Sequence, residues 1–250
     1  MPLFDVDDLY LKRFLRASLL WSQLPVDHPS IHPFLGVHAR PSGTPSIVMP
    51  WLQRDTIMQF LRTVDPGSHR RRLLFEVAEG VAYLHENGFI HGDICGSNVL
   101  IDDDMHTRLA GFALLDVEST NMFDKAEITV ITQAREVTES DGDIRWMAPE
   151  RFSGAPSRTF ATDVFSFGRL CLEVITMKIP YFHLEQPRVM IEIVEGTPPP
   201  RPSAHDGQET LIPDEWWILM LRCWETDPSA SPTMKDIAGT LKGDSFKVEL

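Results

Sequence analysis

The chain is 250 residues long, 43% hydrophobic and 24% charged, a length and mixture that suit one sizeable domain and exclude wholesale disorder. Acidic residues outnumber basic ones 36 to 23, and a formal charge of -13 argues against nucleic acid or a membrane surface as partner and leaves other proteins. Three scattered cysteines fit no zinc or disulfide framework, and neither a signal peptide nor a ~20-residue apolar span is visible, so a cytoplasmic protein, or a nuclear one, is expected.

Helical periodicity begins in "LYLKRFLRASLLWSQL", where Leu11, Phe14, Leu15, Leu19 and Trp21 recur at three- and four-residue steps and predict the core face of a first helix. "HPSIHPFLGVHA" and "PSIVMPW" read as strands, the second ended by Pro50. A short helix is predicted from Asp55 to about Val64, where "DPGS" breaks it. Ser68 is placed to cap the next helix, whose apolar face is Leu73, Val77, Val81 and Leu84 and whose stop signal is Asn87-Gly88. The basic run His69 to Arg72 reads as the solvated start of that helix.

Short strands follow in "FIH", "NVLID" and "TRLAGF", the last two joined by a polar turn at Asp102, Asp103 and Asp104. About thirty polar residues then lead to "WMAPE" and read as a mobile loop. Helices are predicted at 161–177, 187–195, 214–225 and 233–242. Strands first and helices after them suggest an α+β, two-lobed arrangement.

The strings "HGDICGSN", "WMAPE", "DVFSFG" and "CWETDPSASPTM" stand in the order and at roughly the spacing found in the protein kinase family, which the chain resembles, most closely in its tyrosine-kinase-like branch. The resemblance implies a protein-kinase-like fold over 1–250, with a truncated small lobe at 1–50, a hinge at 51–54 and a mainly helical large lobe at 55–250. It makes Asp93 the loop aspartate that accepts a substrate hydroxyl proton and Asn98 the metal-holding asparagine. It also stacks Trp21, Phe34, Phe112 and His91 through the core and gives Asp163 the task of holding the catalytic loop. At the hinge it puts Met49 at the gate of an adenine pocket, the Pro50 carbonyl and Leu52 amide opposite adenine, and Leu100 on the floor.

The departures from that pattern point away from catalysis. The family's Asp-Phe-Gly, whose aspartate binds magnesium, falls on Gly111-Phe112-Ala113, and glycine ligates nothing. Gly92 replaces the arginine that receives a phosphorylated loop, and Cys95, read as an inert thiol, replaces a phosphate-steadying lysine. No G-x-G-x-x-G or Val-Ala-x-Lys occurs, and the lysine's glutamate partner aligns with Ala17. The arginine that pairs with Glu150 falls on Ser231. The expectation is a pseudokinase acting as a binding or scaffold module, in which Asp93 and Asn98 are remnants that hold a loop together. Any ATP binding should be weak, and Asn98 alone should hold Mg²⁺ weakly at best. The alternative is an atypical Ser/Thr or Tyr kinase, which a glycine-rich loop and lysine upstream of Met1 would favour.

Overall fold

The computed structural model of the protein describes residues 6–24, 28–38, 45–64, 69–118, 143–152, 158–202, 212–243 and 246. The polar segment expected to be a mobile loop lies mostly at 119–142, and Ser68 at the expected cap; both fall outside the described residues.

Helix α1 (Val6–Gln23) leads into the strand pair β1 (Gly36–His38) and β2 (Ser46–Val48), antiparallel with Val37 opposite Ile47. Helices α2 (Ile57–Thr63) and α3 (Arg70–Glu86) follow. Then come β3 (Phe89–Ile90), β4 (Val99–Ile101), β5 (Thr107–Leu109) and β6 (Asp116–Val117). Strand β3 pairs with β6 and β4 with β5, both antiparallel. The remainder is helical: α4 (Phe160–Thr176), α5 (Gln186–Val194), α6 (Asp214–Cys223) and α7 (Met234–Lys242). This is the expected α+β arrangement, with few short strands and a C-terminal part that is mainly helical.

Helix α4 is the axis on which the large lobe is assembled. Every residue from Thr162 to Ile175 is buried, and a helix enclosed all round can afford almost no exposed polar face. Its start is fixed by a reciprocal cap in which the Thr159 side chain accepts from Thr162 N and the Thr162 hydroxyl accepts from Thr159 N. Gly168 removes the side chain where Trp224 crosses the helix: a Cβ there would stand 2.7 Å from Trp224 Nε1. Helix α3 buries Leu73, Val77, Val81 and Leu84 as its periodicity predicts, and it ends at Asn87 and Gly88, the latter left-handed at φ +78°.

Two expectations are corrected. On α1, Leu11 and Leu15 are 43% and 46% exposed, while Ala17, Leu20, Trp21 and Leu24 are buried. Of the expected face, Trp21 is in the core and Leu19 packs against it, so the periodicity misplaced Leu11 and Leu15 on a helix whose leucines recur on more than one side. The run His69 to Arg72 is not a solvated start either. Arg71 donates to the Leu241 and Gly243 carbonyls at 3.0 and 2.9 Å, closing the end of α7, and Arg72 donates to Glu76 and the Met105 carbonyl. Long basic side chains here tie α3 to its neighbours rather than to water.

Candidate functional site: the loop after β3

The loop that leaves β3 is organised by one carboxylate from α4. Asp163 is buried, and its two oxygens accept from the backbone N–H groups of His91 and Gly92, both at 2.8 Å, and from His85 Nε2 at 2.9 Å. His91 is fully enclosed; its Nε2 donates to the Ala110 carbonyl at 2.8 Å and its Nδ1 accepts from Asp93 N at 3.2 Å. One nitrogen donating and the other accepting defines a neutral imidazole. Burial also pushes the His91 pKa down, although the charges of Asp163 and Asp93 oppose it.

Asp93 and Asn98 are brought together, as the resemblance implied, but they face each other. Asn98 Nδ2 donates to both the Asp93 carbonyl and Asp93 Oδ2 at 2.8 Å. The Asn98 side chain fills the space beside Gly111: a Cβ on that glycine would lie 2.2 Å from Asn98 Cγ and Oδ1. Gly111 itself is left-handed, φ +75°. Substitution there is opposed by backbone and space together. The chain therefore offers magnesium no carboxylate at this position, and among the described residues no three His, Cys, Asp or Glu side chains converge to hold a metal. The residues present do not fit the ion.

Gly92 shows the same pattern. Its φ is +77°, and a Cβ would meet Arg158 Cδ at 2.5 Å and the Leu114 carbonyl at 2.7 Å. Arg158, buried and far along the chain, lies over the place where the resemblance expects an arginine side chain to begin. Burial, followed by the charge of Arg151, lowers its pKa to about 10, while Asp116 and Asp93 pull the other way; at neutral pH it is still a cation.

The expected stack is continuous. Trp21 packs on Phe34 and Phe112 with ring centroids 5.6 and 4.7 Å apart, and Phe112 packs on His91 at 5.1 Å. Ala17, in the place of the missing glutamate, is buried. Its neighbour Arg16 supplies a tie instead, donating to Asp116 Oδ1 at 2.6 Å and to the Leu115 carbonyl with both charged groups buried. Sequence reasoning missed Arg16 and Arg158 because their partners are remote. Neither residue carries a local signature in the sequence that would have marked it.

In the segment expected to form the hinge, His32 Nε2 donates to the Pro50 carbonyl at 3.1 Å, so an adenine placed there as the resemblance implies would share an oxygen already engaged. Met49 is 43% exposed, Leu52 and Leu100 are half-buried, and Trp51 points outward at 89% exposure. Cys95 is buried, with Sγ 3.1 Å from Ser97 Oγ; burial, reinforced by Asp93, pushes its thiol up to about 11. Glu173 on α4 accepts from Gly96 N at 3.0 Å and Trp146 Nε1 at 3.1 Å, tying the loop to the "WMAPE" segment. Asp102 closes the β4–β5 turn by accepting from Asp104 N, His106 N and Arg108.

The family model for protein tyrosine and serine/threonine kinases matches residues 6–241. The chain is 32% identical over 219 residues to human receptor-interacting serine/threonine-protein kinase 1, covering 84% of this chain and 31% of that protein. It is 28% identical over 220 residues to the Arabidopsis thaliana serine/threonine/tyrosine-protein kinase HT1, covering 86% of this chain and 51% of that protein. The chain thus spans about half or less of the length of these relatives.

Proposed function

Because the chain belongs to the protein tyrosine and serine/threonine kinase family, we propose that it is a pseudokinase, a kinase-like domain that binds other proteins as a signalling scaffold and does not transfer phosphate. The observation that carries this reading is the closed set Gly111, Asn98 and Asp93. Phosphoryl transfer in the family draws on ATP and on magnesium held by a carboxylate and an asparagine, with an aspartate free to accept the hydroxyl proton. Here the carboxylate is replaced by Gly111, the Asn98 side chain stands where a Cβ would go, and its Nδ2 is spent on Asp93, which leaves only Oδ1 of that amide to face a metal. A charge-stabilising part of such a site can be worth ~10³-fold or more, so loss of the metal carboxylate is already disabling.

Adenine contacts are less affected than phosphate contacts, since the Leu52 amide remains and Pro50 keeps a second lone pair beside His32. Nucleotide binding is then weak and indifferent to magnesium. Titration of ATP with and without Mg²⁺ tests this: equal affinities are expected, and a tightening by the metal of about tenfold, ~1.4 kcal/mol, would defeat the reading. The relatives favour a second reading, an atypical ATP-dependent kinase acting on Ser/Thr or Tyr hydroxyls, because both are named as kinases. That reading requires magnesium-dependent nucleotide binding and phosphate transfer that depends on Asp93.

A further inference from the structure

Between the "WMAPE" segment, α4, α5 and α6 lies a cavity of about 350 Å³. Its walls include Pro149, Phe165, Ile193, Leu221 and Trp224, all apolar apart from the indole nitrogen. Arg169 also lines it, a guanidinium only 2% exposed on the most enclosed helix of the fold. Three rings surround that cation: its Cζ lies 4.9 Å from the Phe165 centroid, 4.8 Å from Tyr181 and 4.5 Å from Trp224.

The hydrogen bonds of Arg169 are few. Nη2 donates to the Tyr181 hydroxyl at 3.0 Å, and that hydroxyl donates onward to the Thr197 carbonyl at 2.5 Å. Nε and Nη1 are buried without a partner, although a guanidinium carries five N–H donors. Among the described residues no carboxylate pairs with it; Glu225, on the cavity rim, is exposed to solvent. Burial lowers its pKa to about 10, with the Tyr181 hydroxyl opposing, so the charge persists at neutral pH. A buried charge with neither a counter-ion nor its hydrogen bonds filled is costly. Aromatic faces offset part of that cost but accept no N–H in the plane of the guanidinium.

We propose that this cavity is a binding site for a small carboxylate with an apolar body, its carboxylate received by Arg169 and its body packed between Phe165, Ile193, Leu221 and Trp224. The cavity lies at the small end of the range for ligand pockets, which suits a single ring or a branched chain. One buried cation, in a lining that also carries Thr197, Thr226 and the carboxylate of Glu225, favours a monoanion over a phosphate, which would bring more charge than Arg169 can answer. The site is separate from the loop after β3 and stands whether or not that loop is catalytic.

Calorimetric titration of the 250-residue chain with sodium benzoate, benzamide and inorganic phosphate tests it. Saturable benzoate binding is expected, with benzamide and phosphate much weaker. Arg169→Met should weaken benzoate ~10- to 100-fold, the range of a charge-assisted hydrogen bond, and Glu225→Gln should tighten it by removing a rim carboxylate. If Arg169→Met does not fold, Leu221→Trp decides, because it narrows the cavity from a partly exposed wall position and leaves Arg169 in place. Loss of benzoate binding in Leu221→Trp with a cooperative melt retained supports the site. No saturable benzoate binding, equal binding of benzamide or phosphate, or unchanged binding in Leu221→Trp would overturn it.

Discussion

Two glycines decide the chemistry of the candidate site, and each is defended by more than its own missing side chain. Gly111 is left-handed, and a Cβ would run into Asn98. Gly111→Ala is therefore expected to cost about 1–2 kcal/mol for backbone alone and more from the contact, read as a lowered urea midpoint. Gly111→Asp should fare no better as a repair: it restores a carboxylate only by displacing Asn98, so Mg²⁺-dependent ATP tightening is not expected in the titration. Glu173 gives a second residue-scale prediction. Burial raises its carboxyl from 4.5 to about 7, against the hydrogen bonds from Gly96 and Trp146. Between those values the folded state holds the proton and the unfolded state does not. Its contribution to stability is thus complete below about pH 4.5 and declines as pH rises through about 7. The loss is on the order of 3 kcal/mol. The difference in melting temperature between Glu173→Gln and the parent should grow across that window, and a flat difference would show that the carboxyl titrates normally.

At the scale of elements, α1 and α3 show what periodicity can and cannot deliver. The apolar stripe of α3 is single, and Leu73, Val77, Val81 and Leu84 were legible because no other face competed. Helix α1 carries leucines around much of its circumference, so the packed side emerges only when Trp21 meets Phe34 and Phe112 and Arg16 meets Asp116. The Arg16–Asp116 pair links elements 100 residues apart and has no local signature. Its energetics follow from burial: removing Arg16 takes from buried Asp116 a counter-charge 2.6 Å away. Arg16→Met alone is expected to cost ~3–5 kcal/mol, whereas the double variant Arg16→Met with Asp116→Leu should recover much of it. A double-mutant cycle in urea measures the coupling, and additive losses would show that the pair does not act as a unit.

For the whole molecule, the sequence carried the fold through its strings of local chemistry, while the site's closure came from contacts it could not display. Gly111 and Gly92 were visible as departures; that Asn98 and Arg158 fill the spaces beside them depends on three dimensions. The same division predicts how variants should behave. Asp93 Oδ2 accepts from Asn98 and its backbone N–H donates to His91 within the same loop, and Asp93→Asn keeps an oxygen to accept, so its stability change should stay near the ~0.5–1.5 kcal/mol of one hydrogen bond. Trp21→Ala and Phe112→Ala remove buried rings from the stack and should each cost ~3–5 kcal/mol, a large share of a domain's ~5–15 kcal/mol. In a scaffold, partner capture follows the melting temperature and ignores Asp93; in an enzyme, radiolabelled phosphate transfer vanishes with Asp93→Asn while the melt hardly moves. Measuring both quantities on the three variants separates the readings, and transfer that is present in the parent and lost in Asp93→Asn would overturn the scaffold.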